Sequence, residues 1–297
     1  MSEPACLVPS GDWTGEAATW KADEQALYWV DIQRFLIHRY DPASRSTCSW
    51  LFDEPPTALG LTTRPDTLVV ALASKVILWQ PSNDARVDFA RPEERADCRL
   101  NDGRPDPAGS FWVGSMQNNV AEDGTSVKMT DTAAGSLYRI GGDGHSHLER
   151  PYMGISNTLC WSPRGDTFYF GDSLKNEIWA YDYDLATGNI ANERTFFAGF
   201  DRGVPDGSAM DREGYLWNAR YGGGCVVRVA PDGTVDGVLE MPVDNVTTCT
   251  FGGHDLRTLF ITTAKGGSGP RQRLAGSLFA VRTEAPGLPE NIYRLAD

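Results

Sequence analysis

The sequence predicts an all-β fold, a six-bladed β-propeller with four-stranded antiparallel blades around a central channel. Two observations lead to this prediction: short β-rich runs follow turns rich in Gly, Pro, Asp or Asn along the whole chain, and one unit of constant spacing recurs. No amphipathic helical pattern longer than about two turns competes with the strands. Because propellers commonly exceed the usual domain length, we expect residues 1–297 to form a single domain.

Six strand-like runs supply the units of the propeller. They are residues 27–30, 67–70, 111–113, 168–170, 215–217 and 259–261. A tryptophan followed by two aspartates, at intervals of 11 and then 10 residues, occurs twice in this series. The two copies are Trp20, Asp31 and Asp41, and Trp161, Asp172 and Asp182. They lie 141 residues apart, which leaves room for three units of about 47 residues, the length of a propeller blade. The alternative, a pair of β-sandwiches, would not explain six recurrences of one unit.

A short strand-like stretch, Ala5–Val8, precedes the first complete unit. A propeller must close its ring, and pairing the first segment with the last removes exposed strand edges. We therefore predict that Ala5–Val8 is the outer strand of the last blade.

One position of the repeat carries an oxygen-bearing side chain in every unit. Counting back four residues from Trp20 and from its equivalents gives Glu16, Thr57, Asn101, Asn157, Asp206 and Thr247. The position of Thr247 requires one extra residue in the turn that follows it. Because the innermost strand of each blade lines the channel, we expect these six side chains to converge on the axis.

Glu16, Asn157 and Asp206 are the part of this ring best suited to a cation. Two carboxylates and one amide oxygen match the ligands of a single hard divalent ion, with positions left for water and substrate. The chain has only four histidines, which favours Ca²⁺, Mg²⁺ or Mn²⁺ over a zinc site of the His/Cys kind. Motifs of serine hydrolases, zinc proteases and nucleotide-binding loops are absent. The alternative interpretation is that these polar residues only cap strands.

The charge balance excludes several other classes of function. Forty acidic and 27 basic residues give a formal charge of −13, which argues against binding to nucleic acid or to an anionic membrane. No run of about 18 apolar residues predicts a membrane span. Residues 1–20 lack the pattern of a signal peptide, and the six cysteines are scattered without a C-x-x-C pair. We therefore expect a cytoplasmic protein with free thiols.

Several motifs resemble those of the senescence marker protein/regucalcin and gluconolactonase family, and the similarity extends over nearly the whole chain. The motifs lie at residues 15–32, 99–103, 106–109, 155–157, 171–173, 204–207 and 251–253. The resemblance implies a six-bladed propeller that hydrolyses sugar lactones, such as gluconolactone or a pentonolactone like L-arabinonolactone or xylonolactone. A phosphotriesterase-like propeller, a non-catalytic calcium-binding regulatory protein and a plain protein-interaction propeller are the alternatives.

The resemblance also assigns roles to individual residues. It implies that Glu16, Asn157 and Asp206 ligate one divalent ion (Ca²⁺, Mg²⁺, Mn²⁺ or Zn²⁺), and that Asp206 also acts as general base. It implies that Arg99 and Asn101 contact the sugar lactone. A small-molecule substrate and a monomeric chain are expected.

Two departures from the family pattern stand out. Residues 15–18 read Gly-Glu-Ala-Ala where the family usually has Gly-Glu-Gly-Pro or Gly-Glu-Ser-Pro, which should alter only the stiffness of the turn. Asn119 stands where some relatives place a substrate-binding glutamate, and this difference leaves the preferred sugar open.

The third unit contains an insert. The interval from Asn101 to Asn157 is 56 residues, whereas the other intervals around the ring are 41, 44, 49 and 41. The excess falls in the polar stretch 117–134. We predict that this insert folds over the channel mouth and that Asn118 or Asn119 contacts substrate hydroxyls; the alternative is a mobile surface loop.

Overall fold

The computed structural model describes residues 3–129, 133–267, 269 and 272–296, and within them it contains 25 strands and no helix. Twenty-four of the strands form six antiparallel sheets of four, arranged as the blades of a ring. This confirms the predicted six-bladed β-propeller. The described residues include no helix that is long and apolar enough to cross a bilayer.

In blades 1 to 3 the strands follow the chain from the channel outwards. Blade 1 contains β2 (Gly15–Lys21), β3 (Ala26–Asp31), β4 (Leu36–Asp41) and β5 (Ser46–Leu51). Blade 2 contains β6 (Pro56–Thr62), β7 (Leu68–Leu72), β8 (Val76–Gln80) and β9 (Ala85–Ala90). Blade 3 contains β10 (Cys98–Pro105), β11 (Phe111–Gln117), β12 (Gly135–Ile140) and β13 (Ser146–Met153).

Blades 4 to 6 complete the ring. Blade 4 contains β14 (Ser156–Trp161), β15 (Thr167–Asp172), β16 (Glu177–Tyr183) and β17 (Ile190–Ala198). Blade 5 contains β18 (Val204–Met210), β19 (Leu216–Tyr221), β20 (Cys225–Val229) and β21 (Val235–Glu240). Blade 6 contains β22 (Val246–Gly252), β23 (Thr258–Thr263), β24 (Leu278–Arg282) and, as its outer strand, β1 (Ala5–Val8).

Strand β1 closes the ring. Ala5 pairs with Ala280 and Cys6 pairs with Phe279, both in antiparallel register. The prediction that Ala5–Val8 supplies the outer strand of the last blade is therefore confirmed, and the last blade has no unpaired outer edge where β1 covers it.

The two aspartates found by the repeat have equivalent roles. Asp31, at the end of β3, accepts hydrogen bonds from the backbone N–H groups of residues 13–14 at 2.9 and 3.2 Å. Asp172, at the end of β15, accepts them from residues 154–155 at 2.9 and 3.0 Å. Each aspartate thus holds the segment that leads into the inner strand of its blade, and this shared task explains the constant spacing.

Aromatic side chains fill the spaces between neighbouring blades. Trp20 of blade 1 stacks on Phe260 of blade 6 with ring centroids 5.4 Å apart, and Trp112 of blade 3 packs against Phe168 of blade 4 at 4.9 Å. All four rings are buried. Removing one such ring costs about 3–5 kcal/mol of stability, so these contacts hold the inner strands in place around the channel.

The C-terminal segment crosses the face where the inner strands end. Its last strand, β25 (Ile292–Tyr293), pairs in parallel with β6 of blade 2. The side-chain amide of Asn291 donates to the carbonyl oxygen of Pro105 at 3.1 Å, and the N–H of Leu288 donates to that of Met210 at 3.0 Å. The segment ties three blades together on this face. The six ring residues lie toward the opposite face, where the inner strands begin.

Candidate active site

Every inner strand has a break in its pairing register at the predicted ring position. In β2 the break directly follows Glu16, in β14 it directly follows Asn157, and β6, β10, β18 and β22 show it at the equivalent place. A β-bulge bends a strand and re-aims its side chains. The residues after these two, Ala17 and Thr158, have φ angles of 53° and 54°, a conformation that costs a non-glycine residue roughly 1–2 kcal/mol. Strain of this kind is concentrated at functional sites.

The six ring residues are all buried, but they do not share one role. Four of them line a cavity of about 470 Å³ at the channel mouth: Glu16, Asn101, Asn157 and Asp206. The other two satisfy backbone groups instead. The hydroxyl of Thr57 donates to the carbonyl oxygen of Ala71, and that of Thr247 donates to the carbonyl oxygen of Gly15.

Glu16 and Asp206 place two carboxyl groups in direct hydrogen-bonding contact. Burial, reinforced by the charge of Asp102, raises the pKa of Glu16 to about 8, against the opposing effect of the Ala17 N–H that donates to it at 2.9 Å. Burial and the charge of Glu16 raise the pKa of Asp206 well above its usual range. Two buried carboxylates cannot both carry charge without a compensating proton or cation.

Asn157 is held so that its amide oxygen faces the carboxyl pair side of the cavity wall. Its Nδ2 donates to Oγ of Ser173 at 2.8 Å, and that hydroxyl donates in turn to the carbonyl oxygen of Pro205 at 2.7 Å. Its Oδ1 accepts one hydrogen bond, from Nδ2 of Asn101 at 3.2 Å, which leaves a second lone pair available. Ser173 therefore fixes the orientation of the amide.

Arg99 is a buried cation whose partners are all neutral. Its Nε donates to Oδ1 of Asn119 at 3.0 Å, and its Nη1 donates to Oδ1 of Asn101 at 2.7 Å and to the carbonyl oxygen of Leu100 at 2.9 Å. Within the described part of the chain, its Nη2 has no assigned partner. Burial lowers the pKa of Arg99 to about 10, so the group stays charged at neutral pH beside Glu16. It is a fixed donor facing the cavity.

The described part of the insert packs across the channel mouth against blade 1. Val120 is buried in the core between blades 1 and 2, and a Cβ on Gly124 would lie 2.2 Å from the carbonyl oxygen of Gln33. Asn119 and Ser126 line the cavity. Residues 130–132 of the predicted insert lie outside the described residues.

Asn119, and not Asn118, presents its side chain to the candidate site. Oδ1 of Asn118 accepts a hydrogen bond from the N–H of Val120 at 3.0 Å, so this side chain stabilises the turn of its own loop. Oδ1 of Asn119 accepts from Arg99 inside the cavity. A contact between Asn119 and substrate stays a prediction.

The donor set at the channel mouth fits a hard divalent cation. Glu16 and Asp206 supply two carboxylates whose mutual repulsion a cation would relieve, and Asn157 supplies a neutral amide oxygen held by Ser173. Across the described residues, no group of three or more His, Cys, Asp or Glu side chains is arranged to hold a metal ion. The third donor proposed here is an amide, so a set of this composition is of a different kind.

The comparisons with known proteins agree with this geometry. The model of the SMP-30/gluconolactonase/LRE-like region matches residues 14–265, which include every ring residue. The chain belongs to this family. The resemblance seen in the motifs of the sequence is therefore confirmed.

Relatives of the family cover almost the full length of the chain. Pentonolactonase XacC of Haloferax volcanii is 34% identical over 285 residues, covering 93% of each chain. Regucalcin of Oryctolagus cuniculus is 32% identical over 296 residues, covering 97% of each chain. Among solved structures, a regucalcin of Agrobacterium tumefaciens described as a calcium-binding protein superposes with a TM-score of 0.91 at 27% identity, covering 99% of this chain and 98% of its own.

Several cavity-lining residues were not found from the sequence. Ser173 was part of a motif, and its position directly after the repeat residue Asp172 is the signal that could have indicated its role. Trp13, Gln33 and Tyr221 also line the cavity. They lie at or beyond the strand ends, where the repeat gives no register.

Proposed function

We propose that this protein hydrolyses sugar lactones to the corresponding aldonic acids, using one divalent metal ion. The observation that carries the proposal is the convergence, in one cavity, of two coupled carboxyl groups, an oriented amide oxygen and a buried arginine. The pentonolactonase relative supports the same reaction class, because its similarity extends over 93% of the chain. Glu16, Asn157 and Asp206 would hold the ion.

A lactone is an activated ester, so its hydrolysis needs a polarised carbonyl group and a delivered water molecule. A divalent ion supplies Lewis acidity at the carbonyl oxygen and lowers the pKa of a coordinated water. Arg99 and Asn101 bind and orient the substrate, and Nη2 of Arg99 stabilises negative charge that develops on the carbonyl oxygen. Because these donors are fixed by Asn119 and Leu100, they cost little reorganisation during the reaction.

Asp206 moves the proton. Its carboxylate accepts a proton from the attacking water as the new C–O bond forms at the carbonyl carbon. The ring C–O bond then breaks, and the same proton passes to the departing ring oxygen, which becomes a hydroxyl group of the hydroxy acid. The raised pKa of Asp206 suits a group that must take up and release a proton near neutral pH. No covalent intermediate is required.

A non-catalytic calcium-binding protein is the second candidate function. The observation that favours it is the high structural similarity to a regucalcin described as a calcium-binding protein. A protein of that kind needs the carboxyl pair but not the substrate donors. The buried cation of Arg99 with its free Nη2 favours the lactonase, because burying a charge without an ion-pair partner is costly unless it serves a ligand.

Turnover of a lactone panel tests the proposal. Protein loaded with Ca²⁺, Mg²⁺ or Mn²⁺ should release acid from several pentono- and hexonolactones, measured in a pH-stat against buffer without enzyme. A phosphotriester assayed beside them should be a poor substrate. Stoichiometric metal binding without any acid release would support the calcium-binding alternative, and preferential cleavage of the phosphotriester would support a phosphotriesterase.

A further inference from the structure

Two aromatic side chains line the cavity and take no part in the chemistry proposed above. Trp13 and Tyr221 keep 43% and 36% of their surfaces exposed at the cavity mouth. Leaving a large apolar side chain in water forgoes roughly 1.5–3 kcal/mol of burial. Aromatic residues kept exposed beside a cavity therefore mark a place where a ligand covers them.

Gly266 connects the two rings into one continuous surface, here called the aromatic strip (Trp13, Tyr221 and Gly266). The N–H of Gly266 donates to the carbonyl oxygen of Trp13 at 2.9 Å, and the hydroxyl of Tyr221 donates to the carbonyl oxygen of Gly266 at 3.5 Å. A Cβ at position 266 would lie 2.8 Å from Nε1 of Trp13, so only glycine lets the indole lie this close to the backbone. The strip is a preformed surface.

The aromatic strip faces the polar wall across the candidate site. Tyr221 belongs to blade 5, Gly266 follows an inner blade 6 strand, and Trp13 leads into blade 1, whereas Arg99 and Asn119 belong to blade 3. Blades 3 and 6 lie opposite each other in a six-membered ring. The charges of Asp206 and Glu16 contribute to a raised pKa of Tyr221, after burial as the main cause, which places the phenol near the carboxyl pair. One cavity thus has a hydrogen-bonding side and a stacking side.

The cavity is larger than a single sugar lactone. Its volume is about 470 Å³, whereas a hexonolactone packed at the density of an organic crystal occupies roughly 200 Å³. A few metal-bound waters at about 30 Å³ each do not fill the difference. When the lactone lies against Arg99 and Asn101, space remains on the side of the aromatic strip.

We propose that the aromatic strip is a second sugar subsite, and that lactones carrying a further glycosyl unit are substrates of this enzyme. The proposal rests on the lactonase function proposed above and specifies its substrate class. A pyranose ring has an apolar C–H face that stacks on aromatic rings and a rim of hydroxyl groups. Trp13 and Tyr221 offer both a stacking face and a polar group, which suits a sugar better than a plain alkyl chain.

The experiment compares three lactones in the metal-loaded protein: glucono-δ-lactone, cellobiono-δ-lactone and a δ-lactone with an alkyl substituent of similar length. The ratio of kcat/KM for the disaccharide lactone to that for the monosaccharide lactone should exceed one. In Trp13→Ala and Tyr221→Ala this ratio should fall by about fivefold, the scale of one aromatic stacking contact. Trp13→Phe, which keeps a stacking face, should retain most of the preference.

Tyr152→Ala is the matched control, because Tyr152 is 76% exposed and does not line the cavity. It should leave the ratio unchanged. Hydrolysis of the monosaccharide lactone without hydrolysis of the disaccharide lactone would overturn the subsite while leaving the lactonase function intact. Equal losses for both sugars in the alanine variants, or the same dependence for the alkyl lactone, would also overturn it. Failure to hydrolyse any lactone would instead refute the proposed function itself.

Discussion

The coupled carboxyl groups of Glu16 and Asp206 predict an unusual pH dependence of stability in the metal-free protein. The pKa of Glu16 is raised from 4.5 to about 8 by folding, chiefly by burial. Below about pH 4.5 both the folded and the unfolded chain hold this proton, so the group contributes nothing. Between 4.5 and 8 the unfolded chain has released the proton and the folded chain still binds it. The free energy of unfolding therefore falls as the pH rises through this window.

The magnitude follows from the size of the shift. A full difference of one bound proton changes stability by 1.36 kcal/mol per pH unit, so from pH 5.5 to pH 7.5 Glu16 alone lowers the free energy of unfolding by about 2–3 kcal/mol. The raised pKa of Asp206 acts in the same direction. A bound divalent ion removes the repulsion, so its stabilising effect should be larger at pH 7.5 than at pH 5.5.

Urea denaturation in the presence of a chelator measures this difference directly. The control is Glu16→Gln, which removes one titrating group and the charge that raises the pKa of Asp206. The variant should lose clearly less stability between pH 5.5 and pH 7.5 than the wild type. A metal-free wild type whose stability is constant or rises over this interval, or a variant with the same slope, would refute the coupling.

Three further predictions concern single positions. Asp206→Asn should lower kcat for lactones by at least about 10²-fold, the scale of a lost general base, while circular dichroism shows an intact fold; wild-type turnover would remove Asp206 from the mechanism. Shortening residues 117–134 to a Gly-Ser turn removes Asn119 and should change the ranking of kcat/KM among lactones without changing metal affinity; unchanged ranking and rates would exclude the insert from recognition. Gly207→Ala should cost roughly 1–3 kcal/mol in chemical denaturation, because a Cβ there would lie 2.0 Å from Oγ1 of the buried Thr248; unaltered stability would contradict this packing.

The ring positions could be predicted because the repeat fixes them independently of any loop. Once Trp20 and Trp161 were aligned, counting along the chain led to Glu16, Asn157 and Asp206. The structure brings all three into one cavity. The same arithmetic could not distinguish Thr57, because only the local geometry decides whether a side chain at a bulge faces the cavity or bonds to the backbone.

The positions of the bulges and of the loops could not be predicted. A bulge depends on the pairing of two strands and on what packs against them, so the sequence gave no sign of the left-handed conformation at Thr158. Trp13 and Tyr221 reach the cavity through contacts with Gly266, which lies far from both in the chain. Tertiary packing of this kind carries no periodic signal in the sequence.

The central claim is that Glu16, Asn157 and Asp206 hold one divalent ion without which lactones are not hydrolysed. The most direct test is to titrate metal-free protein with Ca²⁺, Mg²⁺ or Mn²⁺ in turn while following acid release from a sugar lactone. We expect no enzymatic turnover in the metal-free protein and a rise with single-site saturation, shifted to higher metal concentration in Glu16→Gln and Asn157→Ala. Full activity of the metal-free protein, or identical titration curves for the wild type and both variants, would contradict the claim.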